Sequence, residues 1–167
     1  MDGSISIEGL DKVTRALGRA DKAVRDAAMR GLERAALTVV ADAQDNLRKN
    51  GSVVTGLLRQ SGRVQKAGDL EVDAGFFDTR NQEGGYALFV EYGRRAGKMP
   101  PPETLEAYCY KKFQLRDWKA ARAMGWAMAV KIAREGTKPH PFLAPAIDKN
   151  RRLIVQTVQD AINKATQ

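Results

Sequence analysis

The chain has 167 residues, 43% hydrophobic and 29% charged, with a mean hydropathy of -0.44, a composition that excludes both a disordered polymer and a membrane protein and suits one domain with its own core. The formal net charge is +8, and it is unevenly distributed. Residues 1–84 carry 13 basic and 13 acidic side chains, whereas residues 85–167 carry 15 and 7. Within the second half, residues 94–138 hold 11 basic and 4 acidic side chains, so a local basic surface is expected, with nucleic acid or an acidic protein face as its partner.

No apolar run approaches the roughly 18 residues that span a bilayer, and "MDGSISIEG" has neither a basic start nor an apolar signal core. No membrane partner and a cytoplasmic site of assembly are therefore expected. Cys109 is the single cysteine, so no disulfide framework or CxxC metal clip exists.

The alternation of "SISIEGL" predicts a short strand with Ile5 and Ile7 on one side. Leu10, Val13, Leu17, Val24, Ala28, Leu32, Ala36, Val39, Ala43 and Leu47 then recur at helical steps, and Asn50-Gly51 is a stop signal. A helix of about 39 residues would measure roughly 58 Å, more than one small domain covers. Either part of it meets another copy, or it bends at Gly18 or Gly31 and packs on its own sheet.

"RVQKAGDLEVDAGFF" predicts two strands around Ala67-Gly68-Asp69, the second alternating Leu70, Val72, Ala74 and Phe76. "YALFVEYGRR" has apolar residues in both alternation phases, Tyr86, Leu88, Val90 and Tyr92 on one and Ala87 and Phe89 on the other. It predicts a third strand buried on both faces, completing an antiparallel meander over residues 63–92. "GRRAGKMPPPE" is a basic, proline-rich turn. Pro102 suits the first turn of a helix from Glu103 to about Phe113, and a second helix follows with Trp118, Ala121, Gly125, Met128 and Ile132 on one side. "GTKPHPFLAPA" is too rich in proline for either regular element, and a last helix starts near Pro145.

A search for chemistry finds no constellation. His140, the single histidine, lies between Pro139 and Pro141 as a turn residue, and Cys109 falls mid-helix in "EAYCYKKF". "GRRAGK" lacks the Walker spacing, no GxGxxG follows a strand, no GxSxG is present, and Glu71 and Asp73 fall on the polar face of a strand. No catalytic residue, metal ligand or cofactor is expected, and the chain reads as a non-enzyme. Tyr108, Tyr110, Phe113 and Trp118 lie among Arg94, Arg95, Lys98, Lys111, Lys112, Arg116, Lys119 and Arg122. That mixture suits phosphate contacts with base stacking, or two amphipathic helices with aromatic cores and solvated lysines.

Three segments in this order, "VVTGLLRQS" (53–61), "YALFVEYG" (86–93) and "GTKPHPFLAPA" (136–146), resemble the tail-completion, or head-tail joining, proteins of long-tailed bacteriophages, a group often labelled minor tail component. The shared pattern falls on Thr55, Gly56, Leu57, Leu58 and Arg59, on Tyr86, Phe89, Val90, Glu91 and Gly93, and on Pro139, Pro141, Phe142, Leu143, Pro145 and Ala146. The resemblance implies a virion structural protein of the neck or tail, assembled in the host cytoplasm. It would form a homo-oligomeric ring, often a hexamer, between the head-tail connector and the tail terminator or tail tube, without catalysis.

The expected fold is α+β: a single domain over residues 1–167, with a long N-terminal helix and a C-terminal helix packed on a small antiparallel β-sheet, and a basic loop and helical insertion at 94–135. Tyr86, Phe89, Glu91, Tyr92, Pro139, Phe142 and Leu143 are expected at a subunit or partner interface. Arg94, Arg95, Lys98, Lys111, Lys112, Arg116 and Lys119 are expected to face a partner, either adjoining proteins or genome DNA in the channel. A basic nucleic-acid-binding protein is the alternative reading.

Overall fold

The computed structural model describes residues 22–52, 56–77 and 85–166. In chain order these form helix α1 (Lys22–Lys49), a single turn α2 (Leu57–Gln60), strands β1 (Gly62–Gly68) and β2 (Glu71–Phe76), and helices α3 (Gly85–Tyr92), α4 (Glu103–Lys112), α5 (Trp118–Glu135) and α6 (Leu143–Ala165). The fold is α+β, with six helices and one two-stranded antiparallel sheet among the described residues. No described helix is long and apolar enough to cross a membrane. The expected "SISIEGL" strand and the first turns of the N-terminal helix lie outside the described residues.

The chain divides into two compact units. Among the described residues, one unit comprises residues 22–42, 63–75 and 145–166. Here α1 and α6 meet through small side chains. Ala28 and Val158 are buried, with Val24, Leu32, Leu70 and Ile162 packed around them. On α6 the inward positions Ala146, Asn150, Ile154 and Val158 recur every four residues, the stripe that an α-helix presents to one neighbour. Gly31 marks the closest approach, since a Cβ there would meet Val158 Cα at 3.0 Å and Ala161 Cβ at 3.1 Å. The helix does not break at this glycine; the missing side chain makes room for α6 instead. Asp42 joins the same pair by accepting hydrogen bonds from Lys149 Nζ at 3.0 Å and from the buried Asn150 Nδ2 at 2.6 Å.

The second unit comprises the described residues 43–52, 56–62, 76–77 and 85–144. Ala43, Leu47, Val90, Cys109, Ala121, Ala129 and Phe142 are its buried apolar residues. α1 ends as its sequence predicts: Gly51 takes a left-handed φ of 67°, Ser52 N–H donates to Leu47 O at 3.1 Å and Gly51 N–H to Arg48 O at 3.2 Å, the paired bonds of a Schellman cap. α4 and α5 form a helical hairpin whose seam is small, with Gly125 close against Pro102 O and Glu106 N. Asp117 caps α5 by accepting from Ala120 N–H at 2.7 Å. Burial pushes the Cys109 thiol above its ordinary range, and its Sγ lies 4.0 Å from Met128 Sδ.

Three sequence expectations are corrected. Residues 86–92 form helix α3, so the sheet has two strands and no meander reaches residue 92. A run of seven residues that is apolar in both alternation phases is equally apolar around a short helix, and periodicity cannot separate the two. The hairpin turn falls at Asp69-Leu70, and Leu70 leaves the strand to pack on the helices. α6 begins at Leu143, near Pro145 as expected, so the last four residues of "GTKPHPFLAPA", expected in neither regular element, are helical.

Gly51 and Gly93 both have positive φ, yet their surroundings differ. A Cβ at Gly51 meets nothing within 4 Å, whereas at Gly93 (φ 72°) it would lie 2.5 Å from Thr137 O and 2.9 Å from Pro139 N. Gly51→Ala is therefore expected to cost about 1 kcal/mol in urea denaturation. Gly93→Ala is expected to cost at least about twice that, because strain and backbone overlap add.

Candidate interface built on a carboxylate clamp

α6 starts without a capping side chain of its own. The residues before it are His140, Pro141 and Phe142, none of which offers the Ser, Thr, Asp or Asn oxygen that usually takes up the first free N–H groups. Glu91, 51 residues earlier in the chain, does so. Its Oε2 accepts from Phe142 N–H at 2.8 Å and Leu143 N–H at 2.9 Å, and its Oε1 from Ala144 N–H at 3.0 Å. The carboxylate is buried and sits where the helix dipole is positive, so charge and hydrogen bonding favour the same arrangement.

The turn that leads into the helix is held from two further sides. His140 N–H donates to Val90 O at 2.8 Å, Asn46 Nδ2 to Phe142 O at 3.0 Å, and Asn50 Nδ2 to Pro141 O at 2.8 Å. Phe142 is only 1% exposed and meets Phe76 edge to face at 4.9 Å between ring centroids. Gly93, two residues after Glu91, lets residues 137–139 pass against its backbone. Arg94 and Thr137 then exchange backbone hydrogen bonds of 3.1 and 2.7 Å, and Gly97 N–H donates to Ala133 O at 2.8 Å. The segment 95–136 therefore leaves and returns at one antiparallel bridge.

This clamp decides which of the expected interface residues are accessible. Phe142 and Glu91 are interior, and Leu143 is half-buried. Pro139 and His140 are exposed on the clamped turn. Tyr86, Phe89 and Tyr92, three apart on α3, are 43%, 48% and 61% exposed. The Tyr86 hydroxyl is shifted above the usual phenol range, first by partial burial and then by the neighbouring Tyr108 phenol. The Arg94 guanidinium lies 5.4 Å from the centroid of Phe89 and donates to Lys98 O, which fixes one edge of this aromatic row.

Of the expected basic residues, Arg95, Lys98, Lys111, Lys112, Arg116 and Lys119 are exposed and Arg94 is half-buried. Lys112 Nζ stands 5.6 Å over the Tyr108 ring. None of the seven forms an ion pair among the described residues. The reading in which the hairpin aromatics form an internal core is not what the structure shows. Tyr110, Phe113 and Trp118 are exposed, and so is Trp126, to which no sequence signal pointed. Among the described residues no cluster of His, Cys, Asp and Glu could hold a metal ion.

The clamp predicts a steep contrast in stability. Glu91→Ala, which strands three N–H groups, is expected to cost about 3 kcal/mol, and Glu91→Gln about half as much. Phe142→Ala is expected to cost about 3–5 kcal/mol, while Phe89→Ala should stay within about 0.5 kcal/mol of the parent. Urea denaturation of the four purified variants measures all of these.

Searches among curated proteins and among solved structures returned no match. A family comparison did. The matched stretch, residues 11–93, ends on Gly93, so it takes in Glu91 and the α3 row and stops just before the basic segment. Its description is "Bacteriophage HK97-gp10, putative tail-component", and the chain belongs to this HK97-gp10-like family of phage tail components.

Proposed function

We propose that this tail component is a ring subunit of the phage neck, which completes the tail and joins it to the head-tail connector. The observation that carries the reading is the row Tyr86, Phe89 and Tyr92, exposed on a helix whose next residues are locked by the Glu91 clamp. Large aromatic side chains on a rigid element bury much area at small conformational cost, which is what a repeated subunit contact requires. Pro139 adds a stiff exposed edge, and six copies is the number that the family resemblance implies. The neighbours in this reading are the connector on one side and the tail terminator or tail tube on the other.

The basic segment begins immediately after the family match and carries the chain's positive excess. In the ring reading Arg94, Arg95, Lys98, Lys111, Lys112, Arg116 and Lys119 face acidic surfaces of adjoining virion proteins and set register more than affinity. The same charge supports a second reading, nonspecific contact with genome DNA in the channel. The two respond differently to salt: apolar assembly survives it, whereas phosphate binding weakens by orders of magnitude.

The test is complementation of a phage defective in this gene. Phe89→Asp and Tyr92→Asp, both at exposed positions, are expected to yield folded protein but heads and tails that accumulate unjoined in electron micrographs. Normal joining by both variants would remove the α3 row from the interface. Reversal of Arg94, Arg95, Lys111 and Lys112 to Glu is expected to give the same unjoined particles. Normal joining with altered DNA retention would favour the channel reading instead.

A further inference from the structure

The α4–α5 hairpin distributes its side chains against the usual pattern. Its seam is made of Cys109, Ala121, Gly125 and Ala129, all buried, while Tyr110, Phe113, Trp118 and Trp126 are between 38% and 58% exposed. Ordinary amphipathic helices put their largest apolar residues inside. Here the large ones lie on the outside. The Tyr110 and Trp118 rings meet at 5.3 Å between centroids, Arg122 pairs with Glu106 across the seam at 3.5 Å, and Trp118, Arg122 and Trp126 follow at steps of four along α5.

The face is also held in place. Gln114 adopts a left-handed φ of 49° in the turn between the helices, Phe113 N–H donates to Cys109 O at 3.0 Å, and Leu115 N–H to Tyr110 O at 3.1 Å. Around it the surface charge is positive: Lys111, Lys112, Arg116 and Lys119 are exposed and form no ion pair among the described residues, Arg122 pairs with Glu106, and Asp117 is engaged as the α5 cap.

We propose that Tyr110, Phe113, Trp118 and Trp126 form a docking surface for an apolar groove with an acidic rim on a different protein of the virion. The inference rests on the reading of the chain as a virion component that joins others. Trp, Tyr and Arg at the centre with charge at the edge is the composition of protein-interface anchors. A lysine and arginine rim selects carboxylates opposite. Duplex DNA would engage the rim but has its base faces stacked away, so the aromatic centre would gain nothing from it. A second copy presenting the same hairpin would set like charges against each other.

The test supplies the full chain, with p-benzoylphenylalanine in place of Trp126, to a phage lacking the gene; purified particles are irradiated and the adducts identified by mass spectrometry. The expected adduct is with another virion protein, at a peptide in which apolar residues are flanked by Asp or Glu. An adduct with a second copy, an adduct with DNA, or no adduct in particles that contain the chain overturns the proposal. In a second arm, the Phe113→Ser, Trp126→Ser double variant is expected to keep its helix content by circular dichroism and to lower infective titre by about tenfold or more; an unchanged titre overturns the proposal. Phe89→Asp separates this from the joining role. If that variant blocks joining while the hairpin variant is normal, the ring reading stands and the docking surface falls. If the hairpin adduct forms while Phe89→Asp joins normally, the docking surface stands without the α3 interface.

Discussion

One carboxylate ties together segments of this chain that lie some fifty residues apart. Glu91 receives three consecutive backbone N–H groups, those of Phe142, Leu143 and Ala144, at 2.8 to 3.0 Å. A helix that begins after Pro-His-Pro-Phe has no local means of satisfying its first donors, and buried N–H groups left open cost about 1–3 kcal/mol each. Placing the acceptor on α3 makes the start of α6 depend on a segment far away in sequence. Gly93 and the Arg94–Thr137 bridge extend the same attachment by a few residues in each direction.

The surfaces follow from that attachment. Because Val90 and Glu91 are turned inward, Tyr86, Phe89 and Tyr92 are turned outward on the same eight-residue helix. Because Arg94 and Thr137 close the base of the following segment, α4 and α5 are presented as a hairpin whose seam buries Cys109, Ala121, Gly125 and Ala129 beside Glu106, with its large aromatics outside. Close helix seams and a buried clamp supply the packing, and the large aromatics of α3 and of the α4–α5 hairpin remain on the surface.

Much of the architecture was legible in the sequence. The 3.6-residue periodicity and the Asn50-Gly51 stop mark α1, the alternation from Arg63 to Phe76 marks the β-hairpin, and Pro102 sits at the start of α4. The segment 86–92 was not, because a short run that is apolar on every side carries no period. Glu91 could be picked from the family pattern and was expected at an interface, but its buried clamp on α6 was not readable, since its partners lie 51 to 53 residues away. The absence of a capping residue before α6 was the available sign that some distant group must serve. Nor did the sequence tell which apolar residues of α4 and α5 turn inward. Trp118 and Ala121 belong to one helical face by spacing, yet the seam admits the alanine and leaves the tryptophan half exposed beside Tyr110.

The clamp can be measured at the atoms that make it. First-turn amides of a helix ordinarily exchange with solvent at nearly unprotected rates, since they have no partner within the helix. In native-state hydrogen exchange followed by NMR, the amides of Phe142, Leu143 and Ala144 are predicted to be protected as strongly as that of buried Leu47 in α1. In Glu91→Gln, which keeps one acceptor oxygen, the amides that face the new NH2 group, either Ala144 or Phe142 together with Leu143, should lose most of that protection while Leu47 keeps its own. Exchange of Phe142, Leu143 and Ala144 at fraying rates in the parent chain would contradict the account.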